Sequence, residues 1–281
     1  MKHIRIDIGE AVGWLTIDRK ERFNSLDVET ARDLRKAGLQ LARDEQVRCV
    51  VLRGSEGIFC SGADLKYIRA GGEEKDLSYL KAARVSDEPD AEKSYGRVFK
   101  QILEYIHSTI SEIKRSSKPW IAAVDGPAAA GGFGLAMSCD LVYASRRAWF
   151  EWAYGKTSLT GAESSTFFLP RLVGLRKAME LVLLNPRIDA EKARAMGLIN
   201  DVFENDAFDG EVARIAAQLA AGPTEAWGIA KSLINQAAGV DRLDFHLERE
   251  LENLARIAEG KNFAEGLEAF FEKRDAEFAG K

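Results

Sequence analysis

The sequence predicts an α/β fold followed by a helical C-terminal region, and three patterns indicate this. Short apolar runs alternate with segments of helical periodicity over residues 1–206. Two turns of small residues, at residues 59–65 and 125–134, each follow such a run. Over residues 207–281 the apolar positions recur almost throughout at helical spacing. With 281 residues, 46% of them hydrophobic, the chain is long enough to bury a full core.

The first region is predicted to be built from strands and helices in alternation. Strands are expected at residues 4–8, 11–18, 48–53, 119–124 and 141–144. The first two form a hairpin that turns at Gly9-Glu10. Asp27 is expected to cap a helix that ends near residue 43.

Longer helices are predicted further along the chain. Their expected ranges are residues 98–117, 212–221, 224–238, 243–259 and 263–278. Gly222-Pro223 separates the second of these from the third. The polar segment at residues 70–96 is expected to be a surface loop, with a loop that closes over a site as the alternative.

Composition excludes several classes of function. The net charge of −4, from 40 basic and 44 acidic residues, offers no basic footprint for nucleic acid. No long apolar span and no signal peptide are seen, so a cytoplasmic protein without membrane contact is expected. Cys49, Cys60 and Cys139 are scattered, which indicates reduced buried thiols rather than disulfides or a metal site.

The two small-residue turns are candidate anion-binding elements. The first has the sequence FCSGADL at residues 59–65, and the second has DGPAAAGGFG at residues 125–134. Each runs from a buried strand towards a helix start, where backbone N–H groups are exposed and partial positive charge accumulates. Together they are able to direct two N–H donors at one developing oxyanion.

Further motifs accompany these turns in a fixed order. They are residues 16–18 (TID), 22–26 (RFNSL), 139–140 (CD), 169–174 (LPRLVG), Ala190, Ala195 and 197–199 (GLI). On these motifs the chain is identified as a member of the crotonase (enoyl-CoA hydratase/isomerase) superfamily, over nearly its whole length. The resemblance implies a spiral of ββα units over residues 1–206. It also implies a helical region at residues 207–281 that forms a homotrimer or a dimer of trimers.

The resemblance also implies an acyl-CoA substrate and no cofactor or metal beyond the CoA moiety. It places the two oxyanion donors at Ala63 and Gly131. Contacts to CoA are implied for Arg22, Phe23, Ser61, Asp64, Leu65, Lys66, Gly132, Phe270 and Lys273.

The acid/base residues depart from the superfamily pattern. Gly134 and Tyr154 stand where a hydratase carries its two glutamates, and Ala162 stands where isomerases and aromatic-CoA dehalogenases carry an aspartate. Glu163 is the remaining candidate, because a carboxylate in an apolar pocket has a raised pKa that suits proton transfer. The alternative is that Glu163 caps the following helix. Glu151 alternates with apolar neighbours and is expected to face away from the site.

His107 and Tyr154 are further candidates. They fall at positions that resemble the catalytic histidine and the active-site tryptophan of the 4-chlorobenzoyl-CoA dehalogenase branch. A histidine of ordinary pKa serves as a general base near neutral pH. The aromatic residues Trp149, Trp152, Tyr154, Phe167 and Phe168 would form either a wall for a cyclic acyl group or part of the core. Together with a local resemblance to phenylacetyl-CoA ring isomerases, they favour an aromatic or alicyclic acyl group.

Two other functions remain open at this point. One is thioester hydrolysis or a dehalogenase-like reaction, although the missing aspartate argues against dehalogenation. The other is a CoA-binding relative that has lost catalysis along with its three carboxylates. The leading hypothesis is an acyl-CoA hydratase/isomerase that uses Glu163.

Overall fold

The computed structural model describes residues 1–73 and 94–279. Its central feature is a six-stranded sheet with the order β1-β2-β3-β4-β6-β9. Strands β1 and β2 are antiparallel and the remaining neighbours are parallel. The strands are β1 (Ile4–Gly9), β2 (Val12–Ile17), β3 (Cys49–Gly54), β4 (Trp120–Val124), β6 (Leu141–Ser145) and β9 (Asp201–Phe203).

A second sheet brings the second small-residue turn into place. It has three strands in the order β5-β7-β8, namely β5 (Pro127–Ala129), β7 (Trp149–Glu151) and β8 (Ile188–Asp189). Strand β5 also forms a parallel bridge from Ala128 to Cys60. This bridge ties the second turn to the first, so the two turns meet at one edge of the fold.

Helices cover both faces of the large sheet. They are α1 (Val28–Arg43), α2 (Leu65–Arg69), α3 (Tyr95–Arg115), α4 (Gly131–Ser138), α5 (Ser165–Val173), α6 (Leu175–Leu184), α7 (Ala190–Ala195), α8 (Phe208–Ala221), α9 (Thr224–Ala237), α10 (Leu243–Ala258) and α11 (Lys261–Glu272). Helices α1 and α3 pack over the main hydrophobic core, and α8 covers the opposite face of β3 and β4. Because β3 and β4 are buried on both faces, their sequences are continuous apolar runs rather than alternating ones.

Helix α10 lies along α3 and brings a C-terminal helix next to the site. Gly96 permits the close approach, because a Cβ atom there would lie 2.4 Å from the carbonyl oxygen of Ala255. The C-terminal helices therefore complete the core formed by the first 206 residues. The division of the chain at residue 206 remains a prediction.

The α/β prediction is confirmed, and most predicted elements agree with the structure to within a few residues. Asp27 caps α1 as expected, accepting a hydrogen bond from the backbone N–H of Thr30 at 2.8 Å. The hairpin turn lies at Glu10-Ala11, one residue later than predicted, with φ of 52° and 59°. All three cysteines are buried free thiols, as predicted.

The predicted end of the last helix is wrong. Helix α11 ends at Glu272 rather than near residue 278, because Lys273 adopts a left-handed φ of 57°. Its N–H then bonds to the carbonyl of Ala269. The predicted loop at residues 70–96 lies largely outside the described residues, and α3 already begins at Tyr95, where Ser94 caps it. Among the described residues, no helix is both long and apolar enough to cross a membrane.

Candidate active site

The two small-residue turns line a cavity of about 410 Å³. This volume is in the range of small-molecule sites. The first turn contributes Ser61 and Ala63 to the wall, and the second contributes Ala129 and Ala130. Side chains of α3 and of the C-terminal helices close the apolar side of the cavity, namely Phe99, Leu254, Phe270 and Phe271.

The turns approach each other as closely as their small residues permit. A Cβ atom on Gly62 would lie 2.8 Å from Ala130 Cβ and 3.0 Å from the backbone nitrogen of Gly131. Within the described residues, the N–H groups of Ala63 and Gly131 donate no hydrogen bond. Gly131 also begins α4, where the helix dipole adds partial positive charge. Ala63 borders the cavity, whereas Gly131 is not among the described residues of its wall and lies against the Glu163 side chain.

A buried ionic cluster holds the first turn. Asp64 caps α2 by accepting from the N–H groups of Lys66 and Tyr67, each at 3.0 Å. The guanidinium of Arg19 donates to Asp64 Oδ2 at 2.9 Å and pairs with Asp27 at 2.6 Å. These contacts hold the backbone of the turn directly after Ala63.

Glu163 lies beside the second turn. Its Oε1 is 2.8 Å from where a Cβ atom of Gly131 would be, and its side chain lines the cavity. The Tyr154 hydroxyl donates a hydrogen bond to Glu163 Oε2. Burial raises the pKa of Glu163 to about 8, against the lowering effect of that hydrogen bond and with a raising contribution from Glu250. This carboxyl is therefore able both to accept and to donate a proton near neutral pH.

Gly134 packs directly against Glu163. A Cβ atom on Gly134 would lie 2.3 Å from the carbonyl oxygen of Glu163 and 2.9 Å from its Cβ. The space that a side chain at position 134 would need is thus filled by Glu163 itself. The helix-cap alternative for Glu163 is not seen, because its carboxylate is held by Tyr154 rather than by the N–H groups of α5.

Among the described residues, four acidic side chains line the cavity. Three of them differ from Glu163 in their contacts or their exposure. Asp64 belongs to the Arg19 cluster. Glu151 contacts Lys156 and lies 3.7 Å from Arg187. Glu21 is an exposed side chain at the cavity rim. Of the three buried acids of this set, Glu163 is the one without a lysine or arginine partner among the described residues.

The expectation that Glu151 faces away from the site is wrong. The residue is buried and lines the cavity. The alternation holds, with Phe150 and Trp152 in the core, but the opposite face, which carries Trp149 and Glu151, borders the cavity and not the solvent.

His107 lies behind Glu163 and is not part of the cavity wall among the described residues. Its Nε2 accepts the backbone N–H of Glu163 at 3.3 Å. Burial lowers the pKa of His107 to about 4, in spite of the raising effect of Glu250. A neutral imidazole whose lone pair is already engaged suits positioning better than direct proton transfer.

The predicted CoA contacts separate into two groups. Most of them line the cavity, namely Arg22, Phe23, Ser61, Asp64, Leu65, Lys66 and Phe270. Gly132 instead packs against the first turn, where a Cβ atom would lie 2.0 Å from the Cys60 carbonyl oxygen. Lys273 ends α11 and is not among the residues of the wall.

The aromatic cluster is divided in the same way. Trp149 and Tyr154 line the cavity, whereas Trp152, Phe167 and Phe168 are part of the hydrophobic core. The wall residues Phe99 and Leu254 were not predicted, because both fall within the ordinary apolar stripe of an amphipathic helix. Glu250, which contacts the turn that follows Glu163, was also missed.

An apolar cavity that is bordered by two glycine-containing turns and holds a buried carboxyl group is typical of enzymes that act on a small-molecule substrate. The family described as enoyl-CoA hydratase/isomerase matches residues 7–85 and 91–281 of the chain. The chain therefore belongs to the enoyl-CoA hydratase/isomerase family, and it is an enzyme of the crotonase type.

Individual relatives are similar over nearly full length. The 4-chlorobenzoyl coenzyme A dehalogenase-2 of Arthrobacter sp is 30% identical over 96% of this chain and 91% of its own length. The 1,2-epoxyphenylacetyl-CoA isomerase of Escherichia coli K12 is 31% identical over 100% of both chains. A crystal structure of an enoyl-CoA hydratase from Mycobacterium avium subsp. paratuberculosis K-10 matches with a TM-score of 0.83 at 28% identity, over 99% of each chain.

Proposed function

We propose that this enzyme is an acyl-CoA hydratase/isomerase in which Glu163 transfers the proton. The observation that carries this proposal is the position of Glu163 against Gly131, in the cavity wall and without a lysine or arginine partner among the described residues. The thioester oxygen of a bound acyl-CoA would accept hydrogen bonds from Ala63 and Gly131. Arg22 and Lys66, at the same cavity, supply positive charge for the CoA phosphates.

In the proposed reaction the Glu163 carboxylate takes a proton from the α-carbon of the acyl group. The electron pair of that C–H bond moves into the thioester carbonyl and gives an enolate oxyanion, which the two N–H groups stabilise. Protonated Glu163 then returns the proton to the α-carbon or, in a conjugated enolate, to the γ-carbon. The second outcome moves a double bond and requires a single carboxyl group, as found here.

Hydration would use the same groups in another order. Glu163 would take a proton from water as the water oxygen bonds to the β-carbon of an enoyl group. The resulting enolate would then be protonated at the α-carbon. Isomerisation is proposed as the main reaction, because Gly134 and Tyr154 stand at the positions where the superfamily resemblance places the two glutamates of a hydratase.

Tyr154 and His107 support Glu163 in this scheme. The Tyr154 hydroxyl stabilises the ionised carboxylate, since a hydrogen bond to the charged form favours that form. His107 holds the backbone of Glu163. Both residues then affect the rate through the orientation and the pKa of Glu163.

The acyl group is proposed to be apolar and cyclic or aromatic. Phe99, Leu159, Leu254 and Tyr154 all line the cavity and present flat or branched apolar surface. Two relatives have names that refer to aromatic acyl groups, chlorobenzoyl and epoxyphenylacetyl. An aspartate nucleophile for dehalogenation is replaced here by the buried Ala162.

The enzyme is further proposed to form a homotrimer or a dimer of trimers. Helix α6 exposes Leu175, Met179, Leu183 and Leu184, and α9 exposes Ile229, Leu233 and Ile234. Apolar surface of this extent is typical of a contact between subunits. The superfamily resemblance supplies the expected number of subunits.

The test is proton exchange at the α-carbon in D₂O, followed by mass spectrometry. Phenylacetyl-CoA, cyclohexylacetyl-CoA and butyryl-CoA report enolate formation, and crotonyl-CoA reports hydration as a gain of one water. We expect fastest exchange with a cyclic or aromatic thioester and loss of exchange in Glu163→Gln. Release of free CoA would instead indicate hydrolysis. Binding without exchange, hydration or hydrolysis would indicate a non-catalytic relative and overturn the proposal.

A further inference from the structure

Glu250 is a buried carboxylate that reaches the site from helix α10. It is 5% exposed. Its Oε2 accepts the Ser164 N–H at 2.8 Å, and its Oε1 accepts the Thr166 N–H at 3.0 Å. The Thr166 hydroxyl donates to Oε1 as well. These donors belong to the start of helix α5, directly after Glu163.

The backbone at this point is strained. Glu163 and Ser164 are consecutive non-glycine residues with left-handed φ values of 51° and 61°. Such a backbone conformation is unfavourable for a non-glycine residue and persists only where the surrounding structure determines it. The Ser164 side chain makes no cap hydrogen bond to the helix that it precedes. Glu250, 86 residues away in the sequence, supplies the acceptor that a helix N-terminus needs.

The two left-handed residues, Glu163 and Ser164, form a bend in the backbone that determines the position of the Glu163 side chain. Its left-handed backbone directs the N–H to His107 Nε2 and the side chain to Tyr154 and Gly131. A relaxed backbone at Glu163 and Ser164 would alter both directions. The contacts of Glu250 therefore determine where the Glu163 carboxylate lies.

We propose that Glu250 is a positioning residue for Glu163, with its carboxylate holding the left-handed Glu163-Ser164 bend in the orientation that places Glu163 beside Gly131. This inference rests on the proposed function, in which Glu163 transfers the proton. Glu250 does not line the cavity among the described residues, so it acts through Glu163 and not on the substrate.

The charge of Glu250 has a second effect. His107 on α3 lies 3.9 Å from Oε2, and His246 on α10 itself lies 3.6 Å from Oε1. Glu163 and Tyr154 are also close enough to interact with Glu250, and the negative charge of Glu250 raises the pKa of both groups. Removal of that charge should lower the pKa of Glu163.

The test compares Glu250→Gln with wild type, Glu163→Gln and the matched control Glu252→Gln. Glu252 is exposed on the same helix. The assay is α-proton exchange in D₂O, across pH, with the thioester of the panel above that exchanges fastest. A glutamine retains the size of Glu250 but offers one acceptor oxygen instead of two and carries no charge.

We expect Glu250→Gln to lower the maximal exchange rate by about 10²-fold with little change in KM, as for a small misplacement of a reacting group. Exchange rises with pH as Glu163 ionises, and its inflection should move to lower pH in Glu250→Gln. Glu252→Gln should match wild type in both respects. A helix cap without influence on Glu163 would not move the inflection.

An unchanged rate and inflection in Glu250→Gln, alongside an inactive Glu163→Gln, would overturn the role of Glu250 and leave the proposed function standing. Wild-type exchange in Glu163→Gln would overturn the proposed function itself. Should Glu250→Gln fail to fold, Thr166→Val removes one donor to the same carboxylate, and Thr160→Val is its exposed control. Slower exchange in Thr166→Val alone supports the proposal, and equal rates in the two variants refute it.

Discussion

The surroundings of Glu163 favour neither the protonated nor the ionised carboxyl group strongly, and this makes the residue suited to proton transfer. Burial disfavours the carboxylate, whereas the Tyr154 hydroxyl favours it. The balance leaves a pKa of about 8, near the pH at which an acyl-CoA enzyme works. A residue selected for folding alone would not be expected to keep a carboxyl group in this environment.

The first prediction concerns the stability effect of Glu163→Gln. The pKa of Glu163 rises on folding from 4.5 to about 8, so the folded state holds its proton more tightly than the unfolded state. Wild type therefore loses stability as pH rises through this interval, and a glutamine does not. The variant should have the higher melting temperature, by an amount that grows between about pH 5 and pH 8.5. Thermal unfolding at both pH values measures this, and a constant difference would contradict the raised pKa.

The second prediction concerns Tyr154→Phe. Loss of the hydroxyl removes the hydrogen bond that lowers the pKa of Glu163, so the inflection of the exchange profile should move to higher pH. This is opposite to the shift expected for Glu250→Gln. The same pH profile is the measurement, and Tyr143→Phe, on the far side of the sheet, is the control. A shift to lower pH would mean that Tyr154 does not stabilise the carboxylate.

At the scale of elements, the loop between the 3-10 turn Tyr154–Thr157 and helix α5 (Ser165–Val173) is built around small residues of α4 (Gly131–Ser138). Helix α4 has no side chain at Gly131 and Gly134, where Glu163 packs. A side chain at position 134 and Glu163 in its present position therefore exclude each other. The space beside α4 therefore holds one carboxylate side chain, from position 134 or from position 163, but not both.

The third prediction tests this exchange of positions with Gly134→Ala. The added Cβ would lie 2.3 Å from a backbone oxygen, which a side-chain rotation cannot relieve. Overpacking of this kind costs about 1–3 kcal/mol, and it should also displace Glu163 and slow exchange. The control is Gly210→Ala on α8 (Phe208–Ala221), where a Cβ meets nothing within 4 Å. Urea unfolding of the two variants compares them, and equal stability would contradict the packing argument.

Sequence patterns predicted the long elements because their signals are local. The apolar runs of β3 and β4, the Asp27 cap and the amphipathic stripes of α3 and α10 are all contained in short windows. The three-residue strands β5 and β7 are too short to show a period, and the left-handed Lys273 is not a glycine. These features were therefore missed or misplaced.

In the candidate site, too, the features with a local sequence signal were predictable and those that depend on packing were not. The two small-residue turns, which both border the cavity, are visible in the sequence as clusters of glycine and alanine. Glu163 was predicted because the superfamily resemblance leaves Gly134, Tyr154 and Ala162 at the usual acid positions, and its role stays a prediction. Glu250 is not visible, because one glutamate among several on an amphipathic helix has no distinguishing neighbour. Its role depends on α10 packing along α3, and this arrangement exists only in the folded chain.

At the scale of the whole molecule, the apolar surface outside the cavity is concentrated on C-terminal helices and α6 (Leu175–Leu184). Leu183 and Leu184 are 76% and 75% exposed, and Leu175 and Met179 lie on the same helix. Single exposed leucines need no explanation, but a group on one helix favours contact with another subunit.

The fourth prediction is that wild type elutes as an oligomer of three or six times the 31.1 kDa chain mass. Leu183→Glu should dissociate it, because a buried unpaired charge at a subunit contact is strongly unfavourable. Arg176→Glu changes an exposed residue of the same helix and tests the effect of charge alone. Light scattering after size-exclusion chromatography gives the masses, and exchange of α-protons in the dissociated variant shows whether one subunit suffices for catalysis. A monomeric wild type, or an intact oligomer in Leu183→Glu, would exclude this helix as the subunit contact.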